Sequence, residues 1–260
     1  MSFVGTDQAY DRFMGRYSGP LAPLFADFAG VAAPMRVLDV GCGPGALTGE
    51  LVRRVGDANV VAADPTEQFV AATERRFPGV DVTQAGAEAL PFDDASFDAA
   101  LAQLVVAFMK DALAGAREMA RVTKVGGVVA MCMWPLGEGM EFLDLAHRAQ
   151  AAVAPDHPTV GAVRHYRSEP ELVELFARAG FEDVETGSLA VSVEYADFDE
   201  LWAAVAAGSG PIGAFLASTD ARTVERFQAE LRDLARDRGE PFTLTGRAHA
   251  IRGRVGSPPA

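Results

Sequence analysis

Apolar residues in the first half of the chain fall into short unbroken runs, and between the runs they recur every three or four positions. The runs are "RVLDVG" (36–41), "ANVVAADP" (58–65), "VDVTQAG" (80–86), "FDAALAQL" (97–104) and "GGVVAMCMW" (126–134). Each is continuous enough to predict a strand covered on both faces. Between them "GALTGELVRRVGD", "TEQFVAATERRFP" and "DALAGAREMARVTK" set apolar residues at helical spacing with charges opposite. Strand and helix in alternation predict a doubly wound α/β fold with helices on both faces of a parallel sheet. Right-handed crossovers then bring the loops that follow the strands to one edge, where open parallel sheets bind ligands.

The second half changes pattern. "SEPELVELFARAGF" predicts a helix with Ser168 as N-cap and Gly180 as its stop, and "EDVETGSLAVSVEY" predicts a more polar strand. "DFDELWAAVAAG", "GPIGAFLAS" and "STDARTVERFQAELRDLARDRGE" form a helical group. "FTLTGRAHAIRGRV" returns to a β pattern in which Leu244, Ala248, Ala250 and Ile251 alternate imperfectly. The expectation is a mostly parallel seven-stranded sheet whose last strand is antiparallel, with a helical cap inserted between the last two strands. The tail "GSPPA" should fray.

At 260 residues and 49% hydrophobic, the chain suits one domain with an elaboration rather than two equal ones. Lys and Arg number 23 against 36 Asp and Glu, a net charge of -13, which argues against nucleic acid and anionic membranes as partners. The two cysteines, Cys42 and Cys132, have neither disulfide-framework nor zinc-ligand spacing, so no metal is expected and a reducing, cytoplasmic setting is. "MSFVGTDQAYDRFMGRYSG" lacks a signal-peptide pattern, and no apolar run reaches membrane-spanning length.

The first run opens onto a glycine loop, "RVLDVGCGPGALT". Gly41, Gly43 and Ala46 satisfy the dinucleotide pattern G-x-G-x-x-G/A, and a strand before and a helix after are in the required places. Asp39, just ahead of the loop, opposes a diphosphate and suits a ligand that carries an ammonium group. Asp64 ends the second strand, where a carboxylate can accept hydrogen bonds from both ribose hydroxyls. An adenosine joined to an amino acid would satisfy both acids.

These residues, with "AADPTEQFV", "AGAEALPFDDASFDAALAQLVVAFMKD" and "AREMARVTKVGGVVAMCMW", resemble the successive motifs of class I S-adenosylmethionine-dependent methyltransferases of the type 11 small-molecule group, over roughly residues 36 to 134. "YDRFMGRYSGPLA", "AGFEDVE", "DELWAAVAAGSGP" and "AHAIRGRV" also resemble one bacterial subgroup. The resemblance implies S-adenosyl-L-methionine as cofactor and methyl transfer to a small organic molecule by in-line displacement. It implies that Asp39, Gly41, Cys42, Gly43 and Gly45 surround the methionine part, that Asp64 holds the ribose with Pro65 beside it, and that Ala87 and Glu88 meet the adenine through backbone N–H. Ala102 and Gln103 would lie under the sulfonium. Relatives often carry an acid where this chain has Gly86, so adenine recognition should rest on backbone and shape.

On this reading residues 1–35 form an N-terminal lid over the cofactor, 36–135 the cofactor-binding core, 136–240 include a substrate cap, and 241–253 the last strand. Tyr10, Arg16 and Tyr17 are placed to fold back over the cofactor, with Arg16 either pairing with the ligand carboxylate or lying on the surface. No motif identifies a catalytic base. Of His147, His157, His165 and His249, the sequence favours His165, with Tyr166, because "TVGAVRHYRSEP" enters the cap half. Trp134 ends the fifth strand as a candidate acceptor wall. Cys42 has no partner motif and reads as loop filler. The Asn/Asp-Pro-Pro-aromatic signature of amino-group methylation is absent after the fourth strand, "LAQLVVAFMKD". Two rival readings are a nicotinamide-dinucleotide oxidoreductase and a non-catalytic S-adenosylmethionine-binding scaffold.

Overall fold

The computed structural model describes residues 7–135, 139–160, 165–208 and 210–257. The first residues of the expected lid, residues 161–164 of the arginine-containing loop and the end of the tail lie outside them.

The chain enters through a short helix α1 (Asp7–Tyr10), one wide π-helical stretch (Asp11–Gly15) and α2 (Arg16–Ala29). Tyr17, Leu21 and Phe25, one face of α2 at four-residue spacing, are fully buried. Arg54 ties this helix down, donating to the carbonyls of Pro23 and Val31 and pairing with Asp27. From Tyr17 onward the expected lid is therefore part of the core.

β1 (Val37–Val40), α3 (Ala46–Val55), β2 (Val60–Asp64), α4 (Glu67–Arg76), β3 (Asp81–Gln84), β4 (Phe97–Gln103), α5 (Ala112–Val122) and β5 (Thr123–Met133) follow. β1 and β2 are buried at every position, as two-sided cover demands. β3 corrects the reading of "VDVTQAG" as another covered strand: it is the sheet edge and is half-exposed. β5 begins at Thr123, inside the stretch that reads as helix, because Thr123 pairs with Phe97 and its hydroxyl donates to the carbonyl of Met119, closing α5.

After β5 come α6 (Glu141–Val153), α7 (Glu169–Ala179), β6 (Phe181–Tyr195), α8 (Phe198–Ala207), α9 (Gly210–Ser218), α10 (Ala221–Ala235) and β7 (Phe242–Val255). α7 is capped as the sequence predicts, with Ser168 and Glu171 in a reciprocal capping box and Gly180 left-handed at its end. The sheet has seven strands in the order β3-β2-β1-β4-β5-β7-β6, with β7 antiparallel to both neighbours. The helices α8 to α10 are inserted between the last two strands. Because β7 is an internal strand, α6 and α7 both pack on it, and the imperfect alternation of Leu244, Ala248, Ala250 and Ile251 becomes four buried residues on two covered faces. Among the described residues no single helix is long and apolar enough to cross a membrane.

Candidate functional site

The three glycines after β1 all take the left-handed region, with φ of 73° at Gly41, 54° at Gly43 and 92° at Gly45. Their faces do different work. A Cβ on Gly41 would sit 2.6 Å from the Val105 methyls, and one on Gly45 would sit 2.6 Å from the Phe77 ring, so both positions are closed by packing. A Cβ on Gly43 would meet nothing within 4 Å. Gly43 is thus the loop residue whose backbone faces open space, the cradle a ligand would fill.

Asp39 is 1% exposed on β1, and its carboxylate accepts a 2.7 Å bond from Thr48 Oγ1 on α3. Among the described residues no basic side chain pairs with it, and burial raises its pKa to about 7, with the nearby Asp64 adding to the rise. Asp64 is held on both oxygens: the Gly43 N–H donates to Oδ2 at 2.9 Å and the Thr66 N–H to Oδ1 at 2.8 Å. Its pKa is also raised by burial. Each oxygen retains a lone pair for a further donor. Two adjacent buried carboxylates without a cation repel a diphosphate and fit a ligand with one ammonium and several hydroxyl donors.

The loop is braced from outside. Thr73 Oγ1 on α4 donates to the Gly43 carbonyl, and Arg76 donates to the Pro44 carbonyl while pairing with Asp11 at 2.5 Å. Arg76 so joins the glycine loop to the π-helical stretch. Tyr10, one residue earlier, lies edge-on to Phe69 and close enough to Asp64 and Asp39 to feel their charge, and burial pushes its phenol up to about 12. Pro65 is exposed at the end of β2.

Ala87 is buried, and Glu88 Oε1 accepts from the N–H groups of Lys110 and Asp111, which ties the loop after β3 to the start of α5. Ala102 and Gln103 end β4 in the buried floor. Gln103 Nε2 donates to the Ser18 carbonyl, while Gln103 Oε1 finds no hydrogen-bond partner among the described residues. A buried polar atom left unpaired is costly, and this one lies at a strand end where a ligand would meet it.

Beyond this floor stands an aromatic wall. Trp134 and Phe142 lie 6.4 and 5.5 Å from Tyr17, and Phe142 also contacts Phe13 and Tyr195. The Tyr17 and Tyr195 hydroxyls are 3.3 Å apart, and the Trp134 indole N–H has no partner among the described residues.

Some expected residues point elsewhere. Arg16 donates to the Glu194 carbonyl, pairs with Glu200 at 2.9 Å and lies over the Tyr195 ring, so it braces β6 and α8. The His165 side chain is 85% exposed, and Tyr166 is left-handed with φ of 58°. His157 is bonded to Thr159 and Ser218, and His249 lies in the β7 ladder opposite Ser188. His147 is pushed down to about 4 by burial and by Arg167. The Cys42 thiol is driven up by burial, which removes any thiolate chemistry. Among the described residues no cluster of three or more His, Cys, Asp or Glu could hold a metal ion. Thr48, Thr73 and Arg76 were not visible as site residues in the sequence, since their roles depend on helix register alone.

Residues 38–131 match the family model described as a methyltransferase domain. An uncharacterised protein of Mycobacterium tuberculosis is 32% identical over 147 residues, covering 55% of this chain and 51% of that protein. The 2-methyl-6-phytyl-1,4-hydroquinone methyltransferase 2 of Oryza sativa subsp. japonica is 30% identical over 160 residues, covering 58% of this chain and 40% of that enzyme. The chain thus spans about half or less of the length of these curated relatives. The solved structure of the YcgJ protein from Bacillus subtilis superposes with a TM-score of 0.59 at 20% identity, covering 92% of this chain and 99% of that one. Strand order and the family match agree: residues 38–131 match a methyltransferase domain, and the seven-stranded sheet has the fold of the YcgJ structure.

Proposed function

We propose that the chain transfers a methyl group from S-adenosyl-L-methionine to a small organic acceptor by direct in-line displacement. The observation that carries this reading is the unpaired buried Asp39 beside an Asp64 whose two oxygens are already oriented by Gly43 and Thr66. When bound, the cofactor supplies a methyl group on a positively charged sulfur. Asp39 would accept the ligand ammonium, Asp64 the ribose hydroxyls, and the open face at Gly43 would let the backbone approach closely. Ala87 and its neighbours would meet the adenine, with Tyr10 over the opposite side.

What remains for the protein is to align an acceptor atom at about 3 to 3.5 Å and to exclude water. Gln103 Oε1 offers an unused acceptor at the boundary of the two ligands. Tyr17, Trp134 and Phe142 supply an apolar wall suited to a ring-bearing acceptor, and the quinol named in the rice relative is of that kind. No histidine stands as an obvious base in this arrangement, which favours an acceptor that is nucleophilic without deprotonation or one that Tyr17 and Tyr195 can orient.

Calorimetry with S-adenosylhomocysteine and with NAD tests the ligand, and mass spectrometry of an acceptor library tests turnover. Binding of S-adenosylhomocysteine and a product 14 mass units heavier are expected. NAD binding alone would return the oxidoreductase reading, and tight S-adenosylhomocysteine binding without any product across the library would return the scaffold.

A further inference from the structure

We propose that Arg167 is the receptor for an anionic group, a carboxylate or a phosphate, carried by the methyl acceptor. The proposal rests on the methyl-transfer reading for the identity of the anion's carrier, and on the fold for the site itself.

Topology puts Arg167 at the ligand edge. β5 and β6 are each antiparallel to β7 and therefore parallel to each other. α7 must run back from the edge where β5 ends to the edge where β6 begins. Its N-terminus, and Arg167 two residues before Glu169, thus lie on the side of the glycine loop and Trp134.

Arg167 is 8% exposed, its Nε is buried without a partner, and its guanidinium makes no hydrogen bond or ion pair among the described residues. Two less buried arginines of this molecule behave differently. Arg54 is bonded to Glu50, Asp27 and the carbonyls of Pro23 and Val31, and Arg121 to Glu118, Asp94 and the carbonyls of Leu90 and Phe92. Burying the Nε–H of a guanidinium unanswered is a costly arrangement for a fold to keep.

The neighbours do not discharge it. Glu171, four residues on, is committed to the N–H groups of Arg167 and Ser168 and to the Ser168 hydroxyl. Asp144 on α6 is felt by Arg167 but stands beyond ion-pair distance and is itself only half-buried. His147, also on α6, is uncharged at neutral pH. The left-handed Tyr166 turns the chain between an exposed His165 and the buried Arg167.

The same helix carries both neighbourhoods. Phe142, which packs on Phe13 and Tyr17, precedes Asp144 and His147 by two and five residues, about 3 and 8 Å along the helix axis but on another face of it. A fixed arginine fork matches a planar carboxylate or a phosphate. In a chain of net charge -13, a local receptor is also what an anionic acceptor would need.

The test titrates 4-fluorobenzoate and 4-fluorobenzamide into protein saturated with S-adenosylhomocysteine, read by fluorine NMR, with inorganic phosphate as competitor. The benzoate should bind at least tenfold more tightly than the amide, and Arg167→Gln should erase that preference while leaving S-adenosylhomocysteine affinity within twofold. Displacement of the benzoate by millimolar phosphate assigns the site to a phosphorylated acceptor, and resistance to phosphate assigns it to a carboxylate. Equal binding of acid and amide, or a preference that survives in folded Arg167→Gln, overturns the proposal. Should Arg167→Gln fail to fold, Arg167→Lys decides: a weakened but measurable preference for the acid supports the site, and a folded protein with none removes it. Wild-type protein that ignores S-adenosylhomocysteine yet binds the benzoate through Arg167 overturns the methyl-transfer reading and leaves the anion site standing.

Discussion

Cofactor binding should be coupled to the loss of one proton from Asp39. In the ligand-free protein burial raises this carboxyl to about 7, while the ammonium it is proposed to meet needs the ionised form. At pH 6 roughly nine in ten molecules carry the proton, so affinity for S-adenosylhomocysteine should be about tenfold below its limit, about 1.4 kcal/mol. By pH 7.4 most of that deficit is gone. At higher pH the ligand's own α-amino group loses its charge and affinity falls again. Calorimetry at pH 6 in buffers of different ionisation enthalpy should show close to one proton released per ligand, falling through about half a proton at pH 7.

Asp39→Asn tests the same point from the protein side. Its amide can still accept from Thr48, but it should bind S-adenosylhomocysteine about 10- to 100-fold more weakly at pH 7.4, in keeping with a lost charge-assisted bond. Its acid-side pH dependence should vanish. The stability sign runs the other way. A carboxyl raised in the folded state keeps protons that the unfolded chain has released, so ligand-free wild type loses stability as pH rises from about 4 through about 7. The upper limit is about 4 kcal/mol for a shift of this size. Ligand-free Asp39→Asn should therefore melt at a higher temperature than wild type at pH 8. Flat affinity between pH 5.5 and 7.5 with no proton release would refute the pairing of Asp39 with the ammonium.

Asp64→Ala leaves the Gly43 and Thr66 N–H groups without their acceptor; S-adenosylhomocysteine affinity should fall at least 100-fold by calorimetry, and thermal melts should show a loss of about 1–3 kcal/mol. Gly43→Ala and Gly45→Ala should separate ligand contact from packing. The first meets open space and should cost about 1–2 kcal/mol of left-handed strain with a marked loss of binding. The second drives a methyl into Phe77 and should destabilise more in denaturant titration. Arg16→Ala should leave S-adenosylhomocysteine affinity within twofold, because its guanidinium is engaged with Glu194 and Glu200.

What could be read from the sequence was whatever depends on consecutive residues. Asp39 and the glycine loop follow one strand directly, Asp64 ends the next, and the capping box of α7 lies within four residues. Each is local chemistry, and each stands in the structure where the sequence places it. What could not be read depends on the rotation of helices about their axes. Thr48 reaches Asp39 from α3, Thr73 and Arg76 brace the loop from α4, and Arg16 turns toward β6 rather than the ligand. Gly45 shows the limit within the loop itself: its conformation was predictable from the motif, but that Phe77 closes its face was not. α6 was missed although "EFLDLAHRAQAAV" has a buried stripe, because α10 and β7, against which it packs, lie far along the chain. β3 read as covered because its composition does not say that it lies at the edge.

The insertion of α8 to α10 between the last two strands bears on how this protein can change. Its two ends are the facing residues Tyr195 and Phe242, a ladder pair whose Cα atoms in any antiparallel sheet lie about 4.5–5.5 Å apart. Whatever lies between them leaves and returns at the same place, so its length can vary at little entropic cost and without shifting the register of β6 on β7. Both ends of the cap lie at least three strands away from Asp39 on β1 and Asp64 on β2 across the sheet. Libraries that lengthen, shorten or exchange residues 196–241 should retain the cofactor half intact, which makes that segment the natural place for new acceptor preferences to arise, in evolution or at the bench.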